Sequence, residues 1–197
     1  NPQDNTVDVH WTLVEKGSSQ VQLQAGYGGG SFIGTLGLTF NNFSLRNIFN
    51  KKAWSPLPTG DGQQLTIRVE SNGKRYQNFN FSFTEPWLGG KKPNAFTIAT
   101  FHSRIQDISG TSVLGKQTTT GASMSLGTRL KKPDDFFIVQ ASANYYGYNL
   151  DHFRNRYFVG NTPLDSGKFN NLNFKISLSR NSINQPIFPT GGAKIEA

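Results

Sequence analysis

The chain has 197 residues, of which 35% are hydrophobic and 16% are charged, with a formal net charge of +8 and no cysteine. The lack of cysteine excludes a disulfide framework and thiolate metal sites, and no apolar run approaches the roughly 18 residues of a transmembrane helix. The basic balance suits an anionic partner such as a membrane surface. No basic stripe is interleaved with aromatic residues, so nucleic-acid binding is not predicted.

Alternation of apolar and polar residues is the dominant pattern along the chain. It predicts strands, in chain order, at residues 7–14, 20–28, 31–41, 64–70, 79–84, 95–103, 119–130, 136–148 and 170–181, with one more starting near 193. The facing of 95–103 is ambiguous, and the best helix candidate is the short segment 44–50. This pattern predicts an all-β antiparallel meander, with about eight or nine strands after residue 19, each close to the length of a tilted membrane crossing.

Two strands show most clearly what environment the sheet meets. Three phenylalanines alternate with small polar residues at 79–84, and four aliphatic or aromatic residues alternate with polar ones at 170–181. The predicted lipid-facing residues are Phe79, Phe81, Phe83, Leu172, Phe174, Ile176 and Leu178. The opposite face is rich in uncharged polar groups, whereas the outer face of a soluble sheet carries more Lys and Glu. The pattern therefore favours a transmembrane β-barrel, with a soluble β-barrel or β-sandwich as the alternative.

Large aromatic residues lie near several predicted strand ends. Phe43, Trp54, Trp87, Tyr146 and Tyr148 fit the aromatic girdles that mark membrane interfaces. Of these, Phe43, Trp54 and Trp87 are the predicted interfacial anchors.

Five short pieces, in order, resemble the BamA-type outer-membrane assembly factors. Residues 7–16 (VDVHWTLVEK) resemble the closing strand of the last periplasmic POTRA domain, and 20–28 the first barrel strand. The family's turns are resembled by 42–45 (NFSL), 81–90 (FSFTEPWLGG) and 187–192 (IFPTGG). The turn at 42–62 is longer than this family's turn.

The resemblance implies an organisation for the chain. Residues 1–18 would end the last POTRA domain, and 19–197 would form the N-terminal part of a barrel of about 16 strands. We expect the sequence to be a processed chain or a fragment. Turns at 42–62, 85–94, 131–135 and 182–192 would be periplasmic, and loops at 28–31, 71–75, 103–117 and 149–167 would face outward. The location implied is the outer membrane of a Gram-negative bacterium, with a periplasmic N-terminal part.

The resemblance also implies a function, the ATP-independent insertion of other β-barrels into the outer membrane. An edge strand that pairs weakly could template a substrate strand through backbone hydrogen bonds. The predicted seam consists of Gln20, Val21, Gln22, Leu23, Gln24, Ala25, Gly26, Tyr27 and Gly28. The implied partners are unfolded outer-membrane proteins, outer-membrane lipids or lipopolysaccharide, and accessory subunits. A translocation or secretion pore of the same superfamily is the main alternative, and a soluble β-sandwich binding module is another.

The sequence contains no convincing motif for catalysis or metal binding. His102 and Ser103 are adjacent, but neighbouring residues of a strand point to opposite faces, so they cannot act as base and nucleophile. No HExxH or GxSxG motif occurs. We therefore predict neither an enzyme nor a metal or cofactor site.

Overall fold

The computed structural model describes residues 12, 19–28, 31–153, 157–159, 162–185, 187–188 and 190–197. The predicted end of a POTRA domain, residues 1–18, lies outside the described residues except for residue 12. Among the described residues, no helix is long and apolar enough to cross a membrane.

One antiparallel sheet of nine strands dominates the described chain. Strands β1 to β7 are Gln20–Gly28, Ser31–Phe43, Gln63–Asn72, Tyr76–Glu85, Ala95–Ser109, Ser112–Arg129 and Phe137–Asp151, and β8 to β11 are Tyr157–Val159, Thr162–Leu164, Gly167–Asn181 and Lys194–Glu196. The strand order is β1-β2-β3-β4-β5-β6-β7-β10-β11, while β8 and β9 form a separate small hairpin. The predicted all-β meander is confirmed, because successive strands of the large sheet pair with their neighbours in the chain.

The two ends of the sheet carry different connections. We call the end where β1 begins the proximal end; it carries the connections 44–62, 86–94, 130–136 and 182–193. The distal end carries the turns 73–75 and 110–111, and β7 and β10 are also connected at this end. Two short 3-10 helices, Arg46–Phe49 and Lys51–Ala53, lie in the first proximal connection.

The predicted outward loop at 103–117 is wrong. Residues 95–109 and 112–129 are continuous strands of 15 and 18 residues, joined by a tight turn at Gly110 with a φ of 60°. At about 3.3 Å per residue, these strands are longer than a bilayer crossing requires. Beyond the apolar band a strand can meet water on both faces, so its sequence need not alternate there. The same lengthening makes the distal turn far shorter than the long-outside tendency of membrane barrels suggests.

Candidate functional site

Strand β1, the predicted seam, is an edge strand of the described sheet. It comprises Gln20–Gly28, the same residues as the prediction, and within the described residues it pairs on one side only, with β2. Four of its nine residue pairs with β2 contain a glycine, whereas none of the nine β3–β4 pairs does. Cross-strand side-chain pairs are a main source of sheet stability, so β1 and β2 have few side-chain contacts to stabilise their pairing.

The apolar side chains of β1 are widely exposed. Val21, Leu23 and Tyr27 retain 74%, 77% and 70% of their accessible surface. The only ring contact described for this strand joins Tyr27 to Phe32 of β2, edge to face at 5.1 Å. Little side-chain packing therefore holds β1 to the sheet, and its attachment depends largely on the backbone ladder with β2.

The predicted lipid-facing residues all lie on one continuous apolar face. Phe81 of β4 is opposite Ile67 of β3 and Thr100 of β5, and Phe174 of β10 is opposite Ala143 of β7. The same register puts Phe79, Phe83, Leu172, Ile176 and Leu178 on that face. Phe174 and Ile176 are 74% and 76% exposed, so no described part of the chain covers this face at β10.

The opposite face carries a polar network near its distal half. Glu70 accepts hydrogen bonds from Arg68 Nε at 2.7 Å, Asn78 Nδ2 at 3.3 Å and Tyr76 O–H at 3.4 Å. Arg68 and Glu70 form an ion pair on adjacent same-face positions of β3. Such groups suit a polar barrel lumen, and their place opposite the apolar face follows from strand alternation.

Sequence reasoning missed an aromatic cluster on this polar face. Phe101 lies 5.8 Å from Tyr146, and Tyr148 stacks on Phe169 at 4.7 Å, measured between ring centroids. Because Phe101 and Tyr146 both pair with Gly121, they share the polar row. The expectation that Tyr146 and Tyr148 belong to a lipid-side girdle is wrong. Tyr145 lies on the apolar face. Because side chains alternate along β7, Tyr146 and Tyr148 lie on the polar face.

Gly121 makes room for the Phe101 ring, and this yields a prediction. A Cβ at Gly121 would collide with Phe101 Cε1 and Cζ, whereas one at Gly34 would meet no atom within 4 Å. We expect Gly121→Ala to destabilise the folded barrel by about 1–3 kcal/mol through overpacking, measured by urea unfolding in liposomes. Gly34→Ala is the matched control, and G121A/F101A should recover the stability. If Gly121→Ala and Gly34→Ala behaved alike, the close packing would be refuted.

The connection 44–62 folds onto the apolar side of the sheet at the proximal end. Gln63 and Leu65 are buried, while Gln64 between them is exposed. Phe43 is only 8% exposed and its ring meets Phe83 edge to face at 6.1 Å. Since the buried residues share the side of Phe83, the cover lies on the apolar face and leaves the polar face open.

Hydrogen bonds of two buried side chains, Ser44 and Gln63, hold this connection to the sheet. Ser44 is fully buried; its hydroxyl donates to Asp61 Oδ2 at 2.6 Å and accepts from Asn47 N–H at 3.1 Å. Gln63 Oε1 accepts from Leu45 N–H, and Gln63 Nε2 donates to Glu85 Oε2, both at 2.7 Å. The connection is therefore an ordered element that hydrogen bonds attach to the neighbouring strand ends.

Removal of the Gln63 side chain should loosen the connection. Gln63→Ala removes both hydrogen bonds of this buried side chain, to the Leu45 N–H and to Glu85, and such a bond typically contributes about 0.5–1.5 kcal/mol. We expect trypsin to cleave after Lys51 or Lys52 at least about tenfold faster, since each 1.4 kcal/mol of local opening is about a factor of ten. Gln64→Ala, at the exposed neighbouring position, should leave the cleavage rate unchanged. Equal rates in the two variants would contradict this role of Gln63.

The predicted anchors Phe43, Trp54 and Trp87 occupy three different settings. Phe43 is buried under the connection, and Trp54 is 45% exposed with its indole N–H donating to the Ile48 carbonyl at 3.2 Å. Trp87 is 54% exposed and borders a groove that also involves Gly127 and Arg129 of the polar side. The interfacial role of all three stays a prediction.

The discounted catalytic and metal sites gain no support from the geometry. His102 lies on the apolar row opposite Phe79, where its Nδ1 is 3.0 Å from Thr120 Oγ1. Ser103 is on the other side of the same strand. Within the part of the chain that the structure describes, no group of three or more His, Asp or Glu residues could hold a metal ion.

A long antiparallel meander with one apolar and one polar face defines the wall of a membrane β-barrel. The fold is similar to that in the crystal structure of BamA from Haemophilus ducreyi lacking POTRA domains 1–3, with a TM-score of 0.55 and 20% sequence identity. That match covers 92% of this chain and 33% of the BamA chain, so this chain spans about a third of its length.

A model of the Omp85 superfamily domain matches residues 59–196. The chain therefore belongs to the Omp85 superfamily, and it is part of an outer-membrane β-barrel protein. The resemblance to the BamA-type family is confirmed, whereas the assignment of residues 1–18 to a POTRA domain stays a prediction.

Proposed function

We propose that this chain is the N-terminal part of the barrel of an assembly factor, which inserts other β-barrel proteins into the outer membrane without ATP. The observation that carries the proposal concerns β1. Four of its nine residue pairs with β2 contain a glycine, and its apolar side chains are exposed. Residues 1–18 would end a periplasmic POTRA domain, and 19–197 would form barrel wall whose remaining strands come from the rest of the protein.

The mechanism follows from the cost of unpaired backbone in lipid. Each orphan N–H or C=O in the hydrocarbon core costs several kcal/mol, so an unfolded substrate cannot enter strand by strand unaided. The outer edge of Gln20–Gly28 would present backbone donors and acceptors to the first or last strand of the substrate. No side chain acts chemically in this scheme, which requires neither a cofactor nor a metal.

The proposed orientation follows the superfamily. The proximal end, with the connection 44–62, would face the periplasm, and the distal end would face outward. The face of Phe79, Phe81 and Phe83 would contact lipid, and that of Arg68 and Glu70 would line the lumen. Unfolded outer-membrane proteins would be the substrates, and accessory subunits and lipopolysaccharide would be further partners.

The test uses the complete protein in liposomes without ATP. A small outer-membrane barrel is added unfolded in urea, and its folding is followed by heat-modifiable mobility on gels. We expect at least about a tenfold acceleration over both empty liposomes and liposomes that hold an unrelated barrel, equivalent to about 1.4 kcal/mol off the barrier. No acceleration refutes the proposal. Passage of the substrate into the vesicle lumen, instead of insertion, would identify a translocation pore.

A further inference from the structure

We propose that the connection 44–62 is a membrane-surface anchor that binds anionic phospholipid headgroups of the periplasmic leaflet. Its place in the periplasm rests on the orientation proposed above, but it does not depend on insertase activity. Three features of the connection carry the inference: its position beside the lipid-facing surface, its exposed apolar side chains, and two lysines, Lys51 and Lys52, that form no ion pair among the described residues.

The position comes from the burial pattern. Thr59 of the connection pairs with Phe43, and Phe43 and Leu65 of the apolar row are buried, whereas Gln64 on the other side is exposed. It therefore sits at the proximal border of the apolar surface, directly after Phe43, whose ring contacts Phe83. A polypeptide segment at this border lies at the depth of the headgroups, because the apolar band ends there.

The apolar side chains point away from the protein. Phe49 is 96% exposed, Leu45 is 54% exposed and Trp54 is 45% exposed. The Trp54 indole N–H bonds the Ile48 carbonyl, which ties the ring to the helix that carries Phe49. Such a cluster is costly in water, but aromatic side chains are favoured at membrane interfaces, where an apolar body and a polar tip are both accommodated.

The connection carries more basic than acidic residues. Lys51 and Lys52 are exposed, and neither forms an ion pair among the described residues. Asp61, the only acidic residue of 44–62, is engaged by the Ser44 hydroxyl at 2.6 Å and by Arg46 Nε at 3.8 Å. The connection therefore offers lysine ammonium groups to an external anion.

The same arrangement continues along the proximal end. Lys91-Lys92 and Lys131-Lys132 are exposed pairs on the next two proximal connections, and no described ion pair involves them. Asp134, beside the last pair, is bound by Arg180 at 2.9 Å. A row of lysine pairs below an apolar surface matches a layer of lipid phosphates, whereas an acidic protein partner would not require exposed Phe49 beside the lipid border.

The experiment measures binding of phosphatidylglycerol and phosphatidylcholine to the complete protein in detergent by native mass spectrometry. Each basic residue near an anionic lipid surface contributes about fivefold to binding. We therefore expect K51Q/K52Q to weaken binding of the tightest phosphatidylglycerol at least about tenfold and to leave phosphatidylcholine binding unchanged. K51R/K52R should retain binding, and K74Q/R75Q, at the exposed distal turn 73–75, should match the wild type.

Two outcomes overturn the inference. One is unchanged phosphatidylglycerol binding in K51Q/K52Q; the other is an equal loss in K74Q/R75Q, which would indicate unspecific charge attraction. Heat-modifiable mobility verifies that each variant is folded. A second measurement needs no charge change: bilayers with brominated phosphatidylglycerol should quench wild-type tryptophan fluorescence more than that of Trp54→Phe. Equal fractional quenching in the two proteins would also contradict the proposal.

Discussion

A proline scan of β1 over positions 21 to 27 is expected to divide the variants into two alternating classes. In an antiparallel strand, successive residues direct their N–H and C=O groups to opposite neighbours, and proline removes the N–H. Every second substitution would break the ladder to β2 and prevent folding of the barrel. The others would remove a donor from the outer edge, leave the barrel folded and slow substrate insertion at least about tenfold, because an orphan acceptor of the substrate costs several kcal/mol in lipid.

The measurement combines heat-modifiable mobility of each complete variant with its insertion rate in liposomes. Alanine at the same positions, apart from Ala25, is the control, since alanine keeps the N–H group and should preserve both folding and insertion. A scan in which folded proline variants insert substrate at the wild-type rate would exclude β1 as the template. Loss of activity in the alanine variants would instead point to side chains of β1, which the proposed mechanism does not use.

Phe81→Arg is expected to destabilise the barrel by about 2–4 kcal/mol, the cost of an arginine at the bilayer midplane of a membrane barrel. Phe81 is the central residue of the three phenylalanines of β4, and its cross-strand partners are Ile67 and Thr100. It is 43% exposed on the apolar face, so an arginine there would meet lipid. The measurement is the free energy of unfolding from urea titration of the complete protein in liposomes.

Ser82→Arg provides the matched control one position along the same strand. Ser82 pairs with Thr66 and Ala99 on the polar face, where a charged side chain can reach water in the lumen. We expect a cost below about 1 kcal/mol for that variant. Equal costs for the two substitutions, or a larger cost for Ser82→Arg, would mean that the two faces of the sheet are assigned the wrong way round.

The apolar face could be predicted from sequence because alternation is a local property of a strand. Phe79, Phe81 and Phe83 lie on one side whatever the neighbouring strands are, since successive side chains of a strand point to opposite faces. The bounds of β1 were also predictable, because Gln20–Gly28 alternates throughout and glycines follow it. In both cases the pattern and the structure agree residue by residue.

Where the alternation stops, sequence reasoning went wrong. The distal parts of β5 and β6 were predicted as a loop, because residues beyond His102 carry no apolar stripe. Backbone pairing between Ile105 and Gln117 continues the ladder there without any need for a lipid-facing side chain. The facing of 95–103 was ambiguous for a related reason: Phe101 and His102 are both plausible on either side, and only the register with β4 assigns them.

The amino-acid order alone therefore determined the class of fold, the apolar face and the position of the first strand, since each depends on a period of two residues within one segment. Only the tertiary structure decided which polar and aromatic side chains meet across strands, such as Phe101 above Gly121 and Tyr146, and on which side the connection 44–62 packs. These contacts join residues far apart in the chain. They depend on the register between strands, which no single segment encodes.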